Sequence, residues 1–207
     1  AAGYPQGEVN DAFASAVIPM PFTELEGLLF PAQYSFAQGT KADVALKEMI
    51  ARGLAEVTKV GFLSSESKIS PQQLLTIASI IQAEGDQRDF PKVSRVIYNR
   101  LKIGMPLQMD STVHYVKESR GKVFLSTKST YINSPYNTYR KYGLPPGPIG
   151  NPGLSAMKAT LAPESGDWLY FITVAPKDTR FTASLEEFNS WKVLYKKNLR
   201  AGKFEGP

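Results

Sequence analysis

The sequence predicts an α+β fold on three observations. Residues 70–81 carry a helix signature: Ser70 and Gln73 in S-x-x-Q spacing, Pro71 at the first helical position, and an apolar stripe of Leu74, Ile77, Ile80 and Ile81. The aromatic, apolar run 167–174 reads as a strand paired with 180–183. Helices and hairpins come in blocks, not in strict β-α alternation. The 207 residues suit one compact domain, or one with a small appendage, and 43% hydrophobic content supplies a core.

The remaining elements follow in order. Residues 1–24, through Ile18-Pro19-Met20-Pro21, read as a lead-in to a domain spanning 25–207. Leu25 to Pro31 reads as a short strand ended by proline. Thr40 with Asp43 is expected to open a helix reaching about Leu54, the threonine capping free N–H groups. A helix from about Asp89 carries Val93, Val96, Ile97 and Leu101 and stops at Gly104. Residues 105–116 have strand character, and 133–153, rich in Pro, Gly, Asn and Tyr, read as a long ordered loop. Asn151-Pro152 is expected to cap a helix carrying Leu154, Met157 and Leu161. Ser184 with Glu187 caps the last helix, which is expected to bury Phe188, Trp191, Leu194 and Tyr195.

Composition removes several kinds of chemistry. With no cysteine there is no disulfide, thiolate nucleophile or Cys-ligated metal. A single histidine, His114, leaves little material for a Ser-His-Asp triad or a His-rich metal site, so no metal is expected, and with no lysine in an apolar setting suited to a Schiff base no cofactor is expected either. The net charge of +5 comes without a dense basic run, so no nucleic-acid partner is expected. No apolar run approaches the about 18 residues of a membrane helix. The glycines of 147–153 lack the lysine and the strand–helix context of a phosphate loop.

Three segments carry candidate chemistry. Glu84 lies three, four and seven residues past Ile81, Ile80 and Ile77, on the face of the apolar stripe near a helix end. A carboxylate held there is desolvated, its pKa rises, and it suits a general acid. A glutamate at the stripe's rim that simply reaches water has the same spacing. In the second segment, Gln108, Asp110 and Thr112 would share one face of a strand and line a polar cleft, or an ordinary exposed face. The third, Ser134-Pro135-Tyr136-Asn137-Thr138-Tyr139-Arg140, suits sugar binding through stacked rings and side-chain amides, or is a packed surface loop.

The segments Ile77–Glu84, Tyr98-Asn99-Arg100-Leu101, Gly104–Val113, Tyr136-Asn137-Thr138-Tyr139, Gly143-Leu144-Pro145-Pro146-Gly147-Pro148-Ile149 and Asn151-Pro152-Gly153 occur in this order. With Leu25-Glu26-Gly27 and Phe30-Pro31 upstream, the set resembles the YceG-like family of endolytic murein (peptidoglycan) transglycosylases. The resemblance implies a helical catalytic core with β-hairpins, a lysozyme-like cleft, and Glu84 as the catalytic residue at the end of a buried helix. The implied substrate is the peptidoglycan glycan strand, cut between N-acetylmuramic acid and N-acetylglucosamine to leave 1,6-anhydro ends, which terminates nascent chains.

The resemblance further implies that Gln108, Ser111, Thr112, Asn137, Thr138 and Tyr139 bind substrate, with Asn99, Arg100, Asp110 and Glu26 in support. It implies peptidoglycan synthases as partners and an extracytoplasmic location at the bacterial cytoplasmic membrane. Family members carry an N-terminal membrane helix and a LysM-like region. Membrane attachment is therefore expected only through a helix not among these residues, and 1–24 as a lead-in or remnant of the LysM-like part. Gln82 stands where relatives often carry a second acid, which argues against a carboxylate pair on this helix. Two other readings stay open: a non-catalytic peptidoglycan-binding or scaffold module of the wall-synthesis machinery, and a hydrolase differing only in product.

Overall fold

The structure, a computed structural model, describes residues 3–64, 68–119 and 125–204. It is mixed α and β: seven α-helices, two short 3-10 helices (Gln87–Asp89 and Thr127–Tyr131) and one two-stranded antiparallel sheet among the described residues. The α-helices are α1 (Gln6–Ala14), α2 (Ala42–Val60), α3 (Pro71–Glu84), α4 (Phe90–Lys102), α5 (Asp110–Val116), α6 (Leu154–Leu161) and α7 (Leu185–Arg200). The strands are β1 (Tyr170–Ala175) and β2 (Asp178–Thr182).

Helix α3 is the axis of the core. Every residue from Leu74 to Ile81 is buried, so the helix is enclosed on all sides. The expected capping box is present: the Ser70 hydroxyl accepts from Gln73 N–H while the Gln73 side chain accepts from Ser70 N–H. One flank packs Ile77, Ile80 and Ile81 against Phe90, Val93 and Ile97 of α4, with Leu107, Met109 and Ile149. The other flank packs Leu74, Leu75 and Ala78 against Leu28, Val57, Phe62 and Met157. Helix α1, within the stretch expected as a lead-in, packs on α2 through Ala12 against Ala42, Leu46 and Ile50.

Several expectations are corrected. Residues 25–31 form turns, not a strand: Leu28 N–H closes onto Leu25 O, and Gly27 sits at φ +90°. Thr40 does not cap α2. Its hydroxyl donates to Ala37 O, the cap comes from Glu8 of α1, which accepts from Ala42 N–H at 2.8 Å, and α2 runs on to Val60. Residues 110–116 are helix α5, not strand. Asn151 does not cap α6, which starts after Gly153. Its Oδ1 instead accepts from Gly27 N–H (2.8 Å) and Leu29 N–H (3.2 Å), tying 25–29 to the long loop. Leu161 is exposed. Phe188, Trp191, Leu194 and Tyr195 of α7 are half-buried, and the buried residue of that helix is Asn198, whose amide donates to Val174 O at 2.7 Å.

The hairpin forms as expected, pairing Tyr170 with Thr182 and Ile172 with Arg180. Helix α7 covers β1 through the Tyr170–Phe188 ring stack at 5.2 Å. The Ser184 cap on Glu187 N–H is present at 3.2 Å. Residues 132–153 hold no helix or strand, yet most of their later part is buried. Ser79 explains part of this order: its hydroxyl accepts from Ile149 N–H at 3.0 Å and donates to Thr76 O at 2.7 Å, so the loop is bolted to α3. Gln82 adds a second tie by accepting from Gly153 N–H at 3.0 Å.

Candidate active site

Glu84 is the last residue of α3, followed by an extended Gly85. It is half-buried, and its Oε1 accepts a hydrogen bond from Ser111 N–H of α5 at 3.1 Å. Removal from water pushes its pKa above the usual carboxylate range. The nearby Asp110 charge pushes the same way, while Ser111 and Arg100 oppose. The Ser111 hydroxyl is buried within electrostatic reach of this carboxyl and closes no short hydrogen bond.

Around Glu84 stand Asp110, Tyr139 and Arg100. Tyr139 donates its hydroxyl proton to Asp110 Oδ1. Burial, then Asp110, then Glu84 raise the tyrosine's pKa, so it is a neutral donor at any ordinary pH. Arg100 is buried on α4. Its Nε donates to Leu169 O at 2.6 Å, its Nη1 to Leu107 O, and its guanidinium lies 5.5 Å from the Tyr170 ring centre. Desolvation lowers its pKa, while Tyr170, Tyr139 and Glu84 favour the charged form. A buried cation, two carboxyl groups and a phenol thus come together from α3, α4, α5 and the long loop.

Thr112, Asn137 and Thr138 lie behind that set and are fully buried. Thr138 Oγ1 accepts from Met109 N–H at 3.0 Å and lies 2.9 Å from Thr112 Oγ1, which donates to Met109 O at 2.7 Å. The Asn137 amide donates to Thr130 O and Ile132 O, and its Oδ1 accepts from Tyr139 N–H at 3.0 Å. Their polar atoms are thus committed within the protein. They fix where α5 begins and where Tyr139 stands.

Gln108 is exposed beside this frame at φ +49°, its N–H held by Thr138 O at 3.1 Å. Asn99 is engaged elsewhere: its amide donates to Gly166 O and Trp168 O, clamping the segment before β1. Glu26 belongs to a separate acidic neighbourhood, where it raises the pKa of Glu24 after burial has done so. The Glu24 carboxylate accepts from the Gln72 amide at 3.1 Å. Glu24, Gln72 and Ser79 carry no sequence signal that marks them, because each is defined by a contact across the fold. His114 is buried, its Nδ1 3.0 Å from Ser119 Oγ. Among the described residues, no group of three or more His, Asp or Glu is arranged to hold a metal ion, and no helix is long and apolar enough to cross a membrane.

Comparison with known proteins bears on this geometry. The model of the YceG-like family matches residues 4–193. The chain belongs to the YceG-like family. It is 40% identical over 194 residues to an endolytic murein transglycosylase of Bacillus subtilis, covering 93% of this chain and 52% of that protein. It is 32% identical over 168 residues to an endolytic murein transglycosylase of Streptococcus pneumoniae, covering 79% of this chain and 30% of that protein. A crystal structure of a YceG-like protein from Listeria monocytogenes superposes with a TM-score of 0.75 at 37% identity, over 87% of this chain and 58% of that one. The YceG-like chain described here thus spans about half the length of the Bacillus relative and less of the streptococcal one.

Proposed function

We propose that this chain is the catalytic portion of an endolytic murein transglycosylase, with Glu84 as the single acid–base group. The observation that carries the reading is a desolvated carboxyl at a helix end, beside a second carboxylate and held by one backbone N–H. Support comes from the names of the relatives. The substrate is then the peptidoglycan strand, and the place of work is the outer side of the cytoplasmic membrane, where nascent strands are terminated and synthases are met.

Protonated Glu84 gives its proton to the oxygen linking muramic acid C1 to N-acetylglucosamine, and the C1–O bond breaks. Positive charge develops at C1 and the ring oxygen. The Glu84 carboxylate then takes the proton of the same sugar's C6 hydroxyl as O6 bonds to C1, closing the 1,6-anhydro ring. No water is consumed, and the nucleophile is already tethered to the reacting sugar. Ser111 N–H stabilises the carboxylate in the interval, and Asp110 faces the positive charge at C1. Tyr139 holds Asp110 in place, Arg100 fixes the wall formed by Leu107 and Leu169, and exposed Gln108 is free to meet the acetamido groups. Thr112, Asn137 and Thr138 position these residues without touching the sugar.

Digestion of purified peptidoglycan by this chain and by Glu84→Gln, with products read by mass spectrometry, tests the reading. Anhydromuramyl ends from the parent, and a loss of at least about 100-fold in the variant, are expected. Reducing ends would mean a hydrolase. Cleavage by the variant at the parental rate would remove Glu84 from the mechanism.

A further inference from the structure

A cavity of about 640 Å³ is walled by Tyr115, Val116, Glu118, Ser134 and Tyr136, a size ordinary for a small-ligand cleft. It shares no wall residue with the Glu84 cluster, but its position relative to Glu84 follows from α5. Ser111, whose N–H holds Glu84, and Tyr115 are four residues apart on one face of that helix, so their Cβ atoms lie about 6 Å apart. The opposite wall is the start of the long loop, where Ser134 Oγ accepts from Tyr136 N–H at 3.2 Å.

The Tyr115 and Tyr136 rings are 4.9 Å apart and inclined at 43°, forming a corner anchored on the core by the Ile77–Phe90 cluster. Ring faces of this kind hold the apolar face of a pyranose, while polar groups at the rim take its hydroxyls. The charge nearby is negative. Glu118 lines the cavity, and burial followed by Glu24 pushes the Tyr136 hydroxyl up to about 12, with Glu26 acting the same way. A ligand bearing a carboxylate is repelled there, and a neutral one is not.

We propose that this cavity is a sugar subsite adjoining the reacting bond, and that it takes a neutral N-acetylhexosamine on the Tyr115–Tyr136 corner. The ligand class rests on the transglycosylase reading of Glu84.

The test uses Tyr136→Leu, which keeps apolar volume but loses the ring face, and Tyr136→Phe, which keeps the face. Cleavage of defined glycan strands is expected to show KM raised about tenfold and kcat within about twofold for Tyr136→Leu, with Tyr136→Phe close to the parent. Tyr115→Leu should behave as Tyr136→Leu does, and serves if the latter does not fold. Calorimetric titration of Glu84→Gln protein with a neutral N-acetylglucosamine oligomer should show binding that the added Tyr136→Leu change weakens. An oligomer carrying free lactyl carboxylates should bind less well. An unchanged KM, a phenylalanine variant as impaired as the leucine one, or equal binding of the acidic oligomer would overturn the proposal. Oligomer binding without any cleavage by the parent chain would sink the catalytic reading and leave the subsite standing.

Discussion

At the scale of the residue, the proposed chemistry turns on how one carboxyl is kept protonated. Desolvation does most of this for Glu84, and the Asp110 charge adds to it. In the proposed role of general acid, Glu84 must carry its proton in the free protein, so kcat/KM is expected to fall as pH rises through its raised pKa. Asp110→Asn removes the like charge but keeps the side-chain shape, so that descending limb is expected at lower pH than in the parent. A pH–rate profile of both proteins checks this, and a limb that stays in place would show that burial alone sets the acid. The position of Glu84 was legible in the sequence because it depends only on helical spacing from Ile77, Ile80 and Ile81. Its partners were not legible as such. Ser111 reaches it across 27 residues and Tyr139 reaches Asp110 across 29, separations that no local pattern encodes.

At the scale of the element, α3, α4, the hairpin and α7 were readable because caps, stripes and breakers agreed along each segment. The segment 105–116 misled because Thr112, Val113, Tyr115 and Val116 favour strands in isolation. In the fold, the frame of Met109, Thr112 and Thr138 starts a helix there, since Met109 and Val113 bury together at helical spacing. Thr112, expected to share one strand face with Gln108 and Asp110, turns inward instead. Segment 25–31 likewise has strand composition but obeys Gly27, where a Cβ would meet Pro148 Cγ at 2.8 Å and Leu75 at 2.9 Å.

A similar close approach sits on α2. A Cβ at Gly53 would collide with the backbone carbonyl of Leu28, which cannot move as a side-chain tip can. Gly53→Ala therefore forces α2 away from the turn that carries Glu24 and Glu26. The expected cost is at least about 1–3 kcal/mol, read by urea denaturation, despite alanine's better helix propensity. A neutral or stabilised variant would mean the two elements part without penalty.

At the scale of the whole molecule, the setting that suits Glu84 to the proposed catalysis works against stability. Because the Glu84 pKa is higher folded than unfolded, the native state holds its proton where the unfolded state has released it. Stability from this group is therefore lost as pH rises from the ordinary carboxylate range through the raised value, and the penalty is complete above it. Glu84→Gln removes an ionisable group from that setting. Its melting temperature should exceed the parent's at neutral pH and converge on it below the ordinary carboxylate range, with about 2–4 °C gained for each kcal/mol relieved. Scanning calorimetry across pH reads this directly, and a gap that does not narrow in acid would contradict it.

The enclosure of α3 has one more consequence, for how this sequence is able to vary. A helix buried on one side drifts freely on the other, so its tolerance to change rises and falls with each turn. From Leu74 to Ile81 there is no free side, and any replacement there must conserve volume whichever way it points. Gln82 and Ala83 emerge into solvent directly before the carboxyl at the helix end. The rigid shaft and Glu84 are thus parted by two solvent-facing positions of unlike freedom: Ala83 can vary without loosening either, whereas Gln82 still carries the tie to Gly153 N–H.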